Sequence, residues 1–279
     1  MPISPLRRLA RSATVLAAFG SVMSAAPVSA QGDLLVAPTR VILDSRRGTE
    51  VILSNIGSEE ATYRISLVLR RMTPEGALVA VEREEANELE EAALSMIRYA
   101  PRRITLPPGQ PQAVRIGARP GADLPDGEYR VHMSFRAIPK PRPVTERDEQ
   151  TQGVQIRLTP IYGVTIPIIV RHGRLEAQVA IQDPKIFDEE GGPMLKFGLV
   201  RTGESSTYGE LRVMRQGDTS PIYLARGIAI YSEVGQRSVG LKLTPEQAAA
   251  IRSGPVRMEY REMPENGNGM IAAIDTVVG

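Results

Sequence analysis

The side chains that most often catalyse reactions or bind metals are scarce in this chain of 279 residues. It has no Cys and only two His, His132 and His172. The absence of Cys excludes disulfides, thiolate metal sites and cysteine nucleophiles. Two distant histidines argue against a zinc site or a Ser-His-Asp triad, although one histidine can still serve as a base. The composition therefore favours binding over catalysis, and we expect no metal and no cofactor.

Sequence motifs for catalysis and nucleotide binding are also absent. We find no Gly-x-Ser-x-Gly, His-Glu-x-x-His, Walker loop or dinucleotide fingerprint. The segment 203–206 (Gly-Glu-Ser-Ser) lacks the Lys that would hold a phosphate, and it is predicted to be a turn. His132 alternates with the apolar positions of a strand, which predicts an exposed side chain rather than a base. The paired carboxylates of a glycosidase stay open from sequence alone.

Residues 1–30 have the pattern of a secretory signal peptide. Arg7, Arg8 and Arg11 precede an apolar run from residue 13 to 26, and Val28-Ser29-Ala30 gives a small-x-small cleavage site. Its removal takes three of the 34 basic residues and leaves 31 against 32 acidic ones, a formal net charge of −1. The apparent basic excess therefore does not support a nucleic-acid partner. We expect an exported, periplasmic protein without a membrane anchor, because no Cys follows the apolar run and no later segment is long and apolar enough to span a bilayer.

Short strands separated by Gly and Pro turns dominate the rest of the chain. The clearest period of two runs from Glu128 to Ile138, where Tyr129, Val131, Met133 and Phe135 alternate with polar residues, which predicts one buried face and one solvated face. One exception is the Glu-rich segment 83–98, for which we predict a short amphipathic helix or an acidic loop over the sheet rather than a cation site. After a polar hinge at residues 171–174, seven further strand-like segments follow, with one short helix that begins with a capping box at Thr244.

This pattern predicts an all-β protein of two immunoglobulin-like β-sandwich domains in tandem, residues 31–171 and 172–279. Between the strands at 128–138 and 154–170 lies a Pro-rich polar segment, 139–153, which we predict to be a long loop. In the strand after it, apolar residues occupy even positions, and Pro160 and Pro167 interrupt it. Because proline cannot donate to a strand ladder, this strand is predicted to lie at an edge or to carry bulges.

Three segments resemble the periplasmic pilus-assembly chaperones, two-domain proteins with immunoglobulin-like halves. Residues 38–42 (Pro-Thr-Arg-Val-Ile) are similar to the first strand of that family, with its Arg. Residues 99–116 are close to its Pro-x-x…Pro-Gly-x-x-x-x-x-Arg-Ile block, and residues 127–139 are similar to the strand that precedes its subunit-binding edge. The resemblance lies within residues 34–171, while the second domain matches in length and strand content alone.

The resemblance implies a function: such chaperones bind a pilus or fimbrial subunit by lending an edge strand to it and deliver it to an outer-membrane usher. It implies that Arg40 binds the C-terminal carboxylate of the subunit. The lending strand would be 154–158, continued at 164–168, with apolar side chains that either fill the subunit groove or pack inside the chaperone: Val154, Ile156, Leu158, Val164, Ile166 and Ile168. The family's second basic anchor, a Lys in this strand, is missing, and Arg157 and Arg171 are the candidates for its role.

Two other classes compete with this interpretation. One is an exported immunoglobulin-like module that binds a cell-surface protein or carbohydrate, although eight Tyr, four Phe and no Trp offer few rings for stacking on sugars. The other is a secreted hydrolase. We expect a protein that is not an enzyme.

Overall fold

The computed structural model describes residues 34–44, 47–140 and 161–279, all of which belong to one compact unit, Gln31–Gly279. The predicted signal peptide and the segment 154–158 lie outside the described residues. No helix in the described part of the chain is long and apolar enough to cross a membrane.

The described first half of the chain contains ten strands and one α-helix. In chain order they are β1 (Leu34–Ala37), β2 (Val41–Asp44), β3 (Thr49–Asn55), β4 (Ala61–Met72), β5 (Leu78–Val81), α1 (Glu88–Met96), β6 (Ile97–Ala100), β7 (Arg103–Leu106), β8 (Pro111–Ala118), β9 (Gly127–Ile138) and β10 (Gly163–His172). Of the two structures predicted for the Glu-rich segment 83–98, the helix is confirmed over Glu88–Met96, and Asn87 caps it through a capping box with Glu90.

These strands form two sheets that share one core. One sheet has the order β1-β3-β8-β6, and the other has the order β2-β10-β9-β4-β5, with β7 paired to β4. Apolar side chains from both sheets meet between them, among them Val51, Leu53 and Val114 from the first sheet and Val131, Phe135 and Ile168 from the second. A sheet buries one face by packing on another sheet, so this half is a β-sandwich.

The second half repeats this arrangement with seven strands and one α-helix. They are β11 (Ala177–Glu189), β12 (Gly192–Gly203), β13 (Thr207–Arg215), β14 (Tyr223–Ile230), β15 (Gln236–Lys242), α2 (Pro245–Arg252), β16 (Val256–Glu262) and β17 (Met270–Thr276). Sheets β11-β12-β15 and β14-β13-β16-β17 enclose a second core. All seven predicted strands and the helix capped by Thr244 are confirmed, and so is an all-β fold of two sandwiches.

The link between the sandwiches lies two residues later in the chain than the predicted hinge at 171–174. Arg171 and His172 are the last residues of β10, and residues 173–176 lead into β11. The placement of a domain boundary at residue 171 stays a prediction, because apolar residues of the first half also join the second core. Met72 and Ile169 pack there with Phe197 and Leu199.

The second sandwich also covers the polar face of β9. Glu128, Arg130 and His132 point away from the first core, yet the Glu128 side chain is 0% exposed and that of Arg130 is 7% exposed. Arg130 pairs with Glu233 and lies over the Tyr231 ring at 3.7 Å. The prediction of a solvated face is therefore wrong over this part of β9, because a second layer buries it.

Glu128 joins the two halves through one carboxylate oxygen. Its Oε2 accepts from Nε of Arg171 at 3.1 Å and from the backbone N–H of Ser206 at 3.0 Å, while Arg171 donates to the carbonyl oxygen of Ser206 at 2.8 Å. Charged groups with this little exposure are stable only when they are paired and hydrogen-bonded. This three-residue cluster therefore holds the start of β13 against β9 and β10.

We expect Glu128→Ala to lower the free energy of unfolding by about 2 to 3 kcal/mol, because it leaves Arg171 and the Ser206 N–H without their acceptor. Urea denaturation at neutral pH measures this change. Glu50→Ala is the matched control: its ion pair with Arg115 is solvated, with side chains 48% and 84% exposed, so its removal should cost less than about 0.5 kcal/mol. Equal losses in the two variants would show that the Glu128 cluster does not hold the sandwiches together.

Candidate functional site: a cationic cleft beside an open strand edge

A cleft of about 510 Å³ lies where the two sandwiches meet. Its wall from the first sandwich includes Arg40, Ile42 and Arg171, and its wall from the second includes Ser206, Tyr208 and Met270. Arg40 stands directly before β2 and Arg171 near the end of β10, which pairs with β2 in parallel. The structure thus brings together Arg40 and one of the two candidates for a second basic anchor.

Arg40 is held in the cleft by residues of the second sandwich. Its Nη1 donates to the hydroxyl of Tyr231 at 3.3 Å and its Nη2 donates to the hydroxyl of Ser206 at 3.2 Å. Its guanidinium carbon lies 4.8 Å from the centre of the Tyr208 ring and 5.4 Å from that of Tyr231. Two aromatic faces and two hydroxyls position the cation without neutralising it.

The charge of Arg40 has no carboxylate partner within the described ranges, since no ion pair within 4.0 Å involves it. Burial holds the pKa of Arg40 below its usual value, and the neighbouring Arg171 acts in the same sense, whereas Tyr231 and Glu128 raise that pKa. An arginine starts so far above neutrality that it stays charged. The cleft therefore presents a cation that an incoming carboxylate can neutralise by bidentate hydrogen bonding.

Arg171 has a different setting from Arg40. Its Nε and Nη2 donate to Glu128 and to the Ser206 carbonyl, so its charge is partly balanced by Glu128. Arg171 positions Ser206, whose hydroxyl accepts a hydrogen bond from Arg40. The other candidate for the second anchor, Arg157, lies outside the described residues.

The edge of β10 is divided into a paired and an unpaired half. One side of β10 is bonded to β9 along its whole length, Gly163 to His172. On the other side β2 pairs with residues 168–171, and no described strand pairs with residues 163–167. The prediction of an edge strand is thus supported for this first half of β10, where Pro167 lies.

The apolar row predicted for the lending strand is split by the structure. Ile166 and Ile168 are 2% and 0% exposed and belong to the first core, which is the inward packing that the sequence left open. Val164 is half-buried at the end of that core. Val154, Ile156 and Leu158 lie outside the described residues, so their role stays a prediction.

The prediction that His132 is exposed is wrong, because its side chain is covered by the second sandwich and the residue is 1% exposed. Sequence reasoning also missed Ser206, Tyr208 and Tyr231 as neighbours of Arg40. Ser206 and Tyr231 are 166 and 191 residues away in the chain, and no local pattern signals contacts of that range. The segment 203–206, predicted to be a turn, bends between β12 and β13 and delivers Ser206 to the cleft.

Comparisons with known proteins give a likeness of structure only. No family model matches the sequence, and no curated protein matches it. Among solved structures the chain is similar to the class 5 fimbriae chaperone CfaA, with 12% identity, a TM-score of 0.44, and 88% of this chain and 99% of that chain covered.

Two further similar structures are complexes. One is the CsuC–CsuE chaperone–tip adhesion subunit pre-assembly complex from archaic chaperone-usher Csu pili of Acinetobacter baumannii, at 10% identity and a TM-score of 0.45, covering 88% of this chain and 98% of that chain. The other is the Salmonella enterica SafA pilin in complex with the SafB chaperone, at 15% identity and a TM-score of 0.43, with 88% and 95% covered. The function has to be argued from the cleft and the strand edge.

Proposed function

We propose that this protein is a periplasmic chaperone that binds pilus or fimbrial subunits by strand addition and holds the subunit's C-terminal carboxylate at Arg40. The observation that carries the proposal is the position of Arg40 at the end of an open strand edge. An extended segment that adds to a sheet edge gains its affinity from backbone hydrogen bonds and its register from alternate side chains.

The register of β2 on β10 supports a direction for the incoming strand. β2 begins at Val41, opposite Ile168, and residues 167 back to 163, which pair with no described strand on this side, continue the same edge of β10. A strand placed there lies in line with β2 and ends against Arg40, which stands directly before Val41. If it runs parallel to β10, as β2 does, its carboxyl end meets Arg40. An antiparallel strand would bring an amino terminus to a cation, which is repulsive.

The chemistry of the cleft supports a carboxylate over other ligands. Arg40 offers a planar donor pair without a described carboxylate partner, and the Ser206 hydroxyl beside it can donate a further hydrogen bond. The Arg171 guanidinium adds a second positive charge that remains partly balanced by Glu128. Ile42 and Met270, 44% and 45% exposed, give the cleft an apolar border against which the last side chain of the subunit would pack.

The lending row is proposed to consist of Val154, Ile156, Leu158 and Val164. Ile166 and Ile168 belong to the chaperone's own core, so they fix β10 in the first sandwich rather than enter the subunit. Delivery to an outer-membrane usher, export by residues 1–30, and the division into domains at residue 171 are parts of the same proposal.

The first test removes the anchor. We expect Arg40→Ala to reduce the yield of a co-purified secreted subunit about tenfold or more, because a charge-assisted bidentate hydrogen bond contributes about 1.5 to 3 kcal/mol. Pulldown of the tagged chain from periplasmic extract measures the yield, and Arg115→Ala on β8 is the control because this arginine is solvated and pairs with Glu50. Undiminished capture by Arg40→Ala would refute the carboxylate anchor.

The second test addresses the lending row. Ile156→Asp should abolish capture, because it places a charge in an apolar subunit groove. The adjacent substitution Gln155→Asp adds the same charge at the alternate position and should leave capture nearly unchanged.

The two alternative classes would give other outcomes. If neither variant changes capture, or if no small secreted protein co-purifies in a one-to-one complex, strand lending fails. Retention of the chain on a glycan column would instead favour a carbohydrate-binding module, and turnover without a protein partner would favour a hydrolase.

A further inference from the structure

His132 is a buried titratable group that the proposed carboxylate site does not use. It lies in the middle of β9, between Val68 of β4 and Pro167 of β10 in the strand register. Its ring meets the edge of Tyr231 from the second sandwich at a centroid distance of 6.4 Å and an interplanar angle of 90°. Neither ring nitrogen has a hydrogen-bond partner among the described residues.

The charges that act on this ring are positive on three sides. Arg130 comes from β9 itself, Arg70 from β4, and Arg40 from the segment before β2. From the second sandwich Tyr231 faces the ring, and the nearby Glu233 is already paired with Arg130. Burial, followed by these three arginines, lowers the pKa of His132 from its ordinary 6.5 to about 3. The closed interface therefore disfavours the protonated, positively charged form of His132.

A buried imidazole without hydrogen bonds lowers the stability of the folded state, because an unpaired polar group loses its hydration without compensation. An aromatic or aliphatic side chain would fill the same space without that cost. Titratable groups that burial and specific neighbouring charges perturb are concentrated at functional sites.

We propose that His132 makes the contact between the two sandwiches acid-sensitive, so that protonation of its ring opens the interface and disperses the Arg40 cleft. The ring faces Tyr231, whose hydroxyl binds Arg40, and Arg130, which holds Glu233. When the interface opens, His132 reaches water and regains its ordinary proton affinity. Regulation of subunit release by acid rests on the proposed function, whereas the opening itself does not.

Proton linkage fixes the size and the sign of the effect. The folded-state pKa is depressed, so closure is fully favoured above pH 6.5 and is weakened as the pH falls through 6.5 toward 3. Between pH 7.5 and pH 5.5 the ratio of open to closed molecules should rise about tenfold, since one proton is bound only in the open state. This window keeps most carboxylates ionised.

A single introduced cysteine can report the opening, because the natural chain has none. Met72 is 7% exposed and packs in the second core, so the thiol of Met72→Cys reacts only when the interface opens. Ser58→Cys, at an exposed turn, supplies the reference, and the ratio of the two modification rates by a methanethiosulfonate reagent cancels the intrinsic pH dependence of thiols.

We expect this rate ratio to rise about tenfold from pH 7.5 to pH 5.5, and to change less than twofold when His132→Phe is added. His172→Gln, at the other histidine of the chain, should keep the tenfold rise. A rise that persists in His132→Phe, that vanishes in His172→Gln, or that is absent from the parent chain overturns the proposal. If His132→Phe does not fold, His132→Gln is measured in the same way.

The link to subunit binding has a separate readout. The captured complex should lose its subunit faster at pH 5.5 than at pH 7.5, and His132→Phe should remove the difference. Acid opening of the free chain without any captured subunit would leave the role of His132 intact while refuting the proposed function. Opening without faster release would refute the regulatory link alone.

Discussion

Burial of the polar face of β9 and β10 beneath the second sandwich is the constraint on which the rest of the structure depends. The side chains of Glu128, Arg130 and His132 are buried there and that of Arg171 is partly buried, and each must find a partner or bear the cost of desolvation. Glu128 with Arg171 and Ser206, and Arg130 with Glu233 and Tyr231, meet that demand. These polar contacts fix how the two cores face each other. Met72 and Ile169 add apolar contacts by packing in the second core.

The same contacts build the cleft. Arg171 donates to Glu128 and to the Ser206 carbonyl, so the Ser206 hydroxyl is held where Arg40 can donate to it. The Tyr231 hydroxyl accepts a hydrogen bond from Arg40, and the guanidinium of Arg130 lies over the face of the Tyr231 ring. Aromatic faces stabilise a guanidinium less than a carboxylate would, and this leaves Arg40 able to bind an anion. A site of this kind exists only while the sandwiches stay in contact, which is why its neighbour His132 can control it.

Much of the fold followed from periodicity, because strands with one buried face alternate and Gly or Pro marks their ends. The seven strands of the second half were predictable for that reason, and α2 was predictable from its capping box, whereas the segment of α1 was left open between a helix and an acidic loop. The strand β9 was predicted correctly, but the prediction that its polar face is solvated was wrong. A period of two cannot show that a second sandwich covers one side of a strand. Arg40 was reached through a family resemblance, whereas Ser206, Tyr208 and Tyr231 come from distant strands and needed the tertiary structure.

The division of β10 explains why one strand can serve both partners of the proposed complex. Four residues paired with β2, together with Ile166 and Ile168 in the core, anchor β10 in its own sheet. On the β2 side no described strand pairs with residues 163–167, because the chain before Arg40 belongs to the other sheet as β1. An exposed edge is usually a liability that proteins blunt. In the proposed complex, Arg40 at the end of this edge favours a strand that runs in parallel and finishes in a carboxylate.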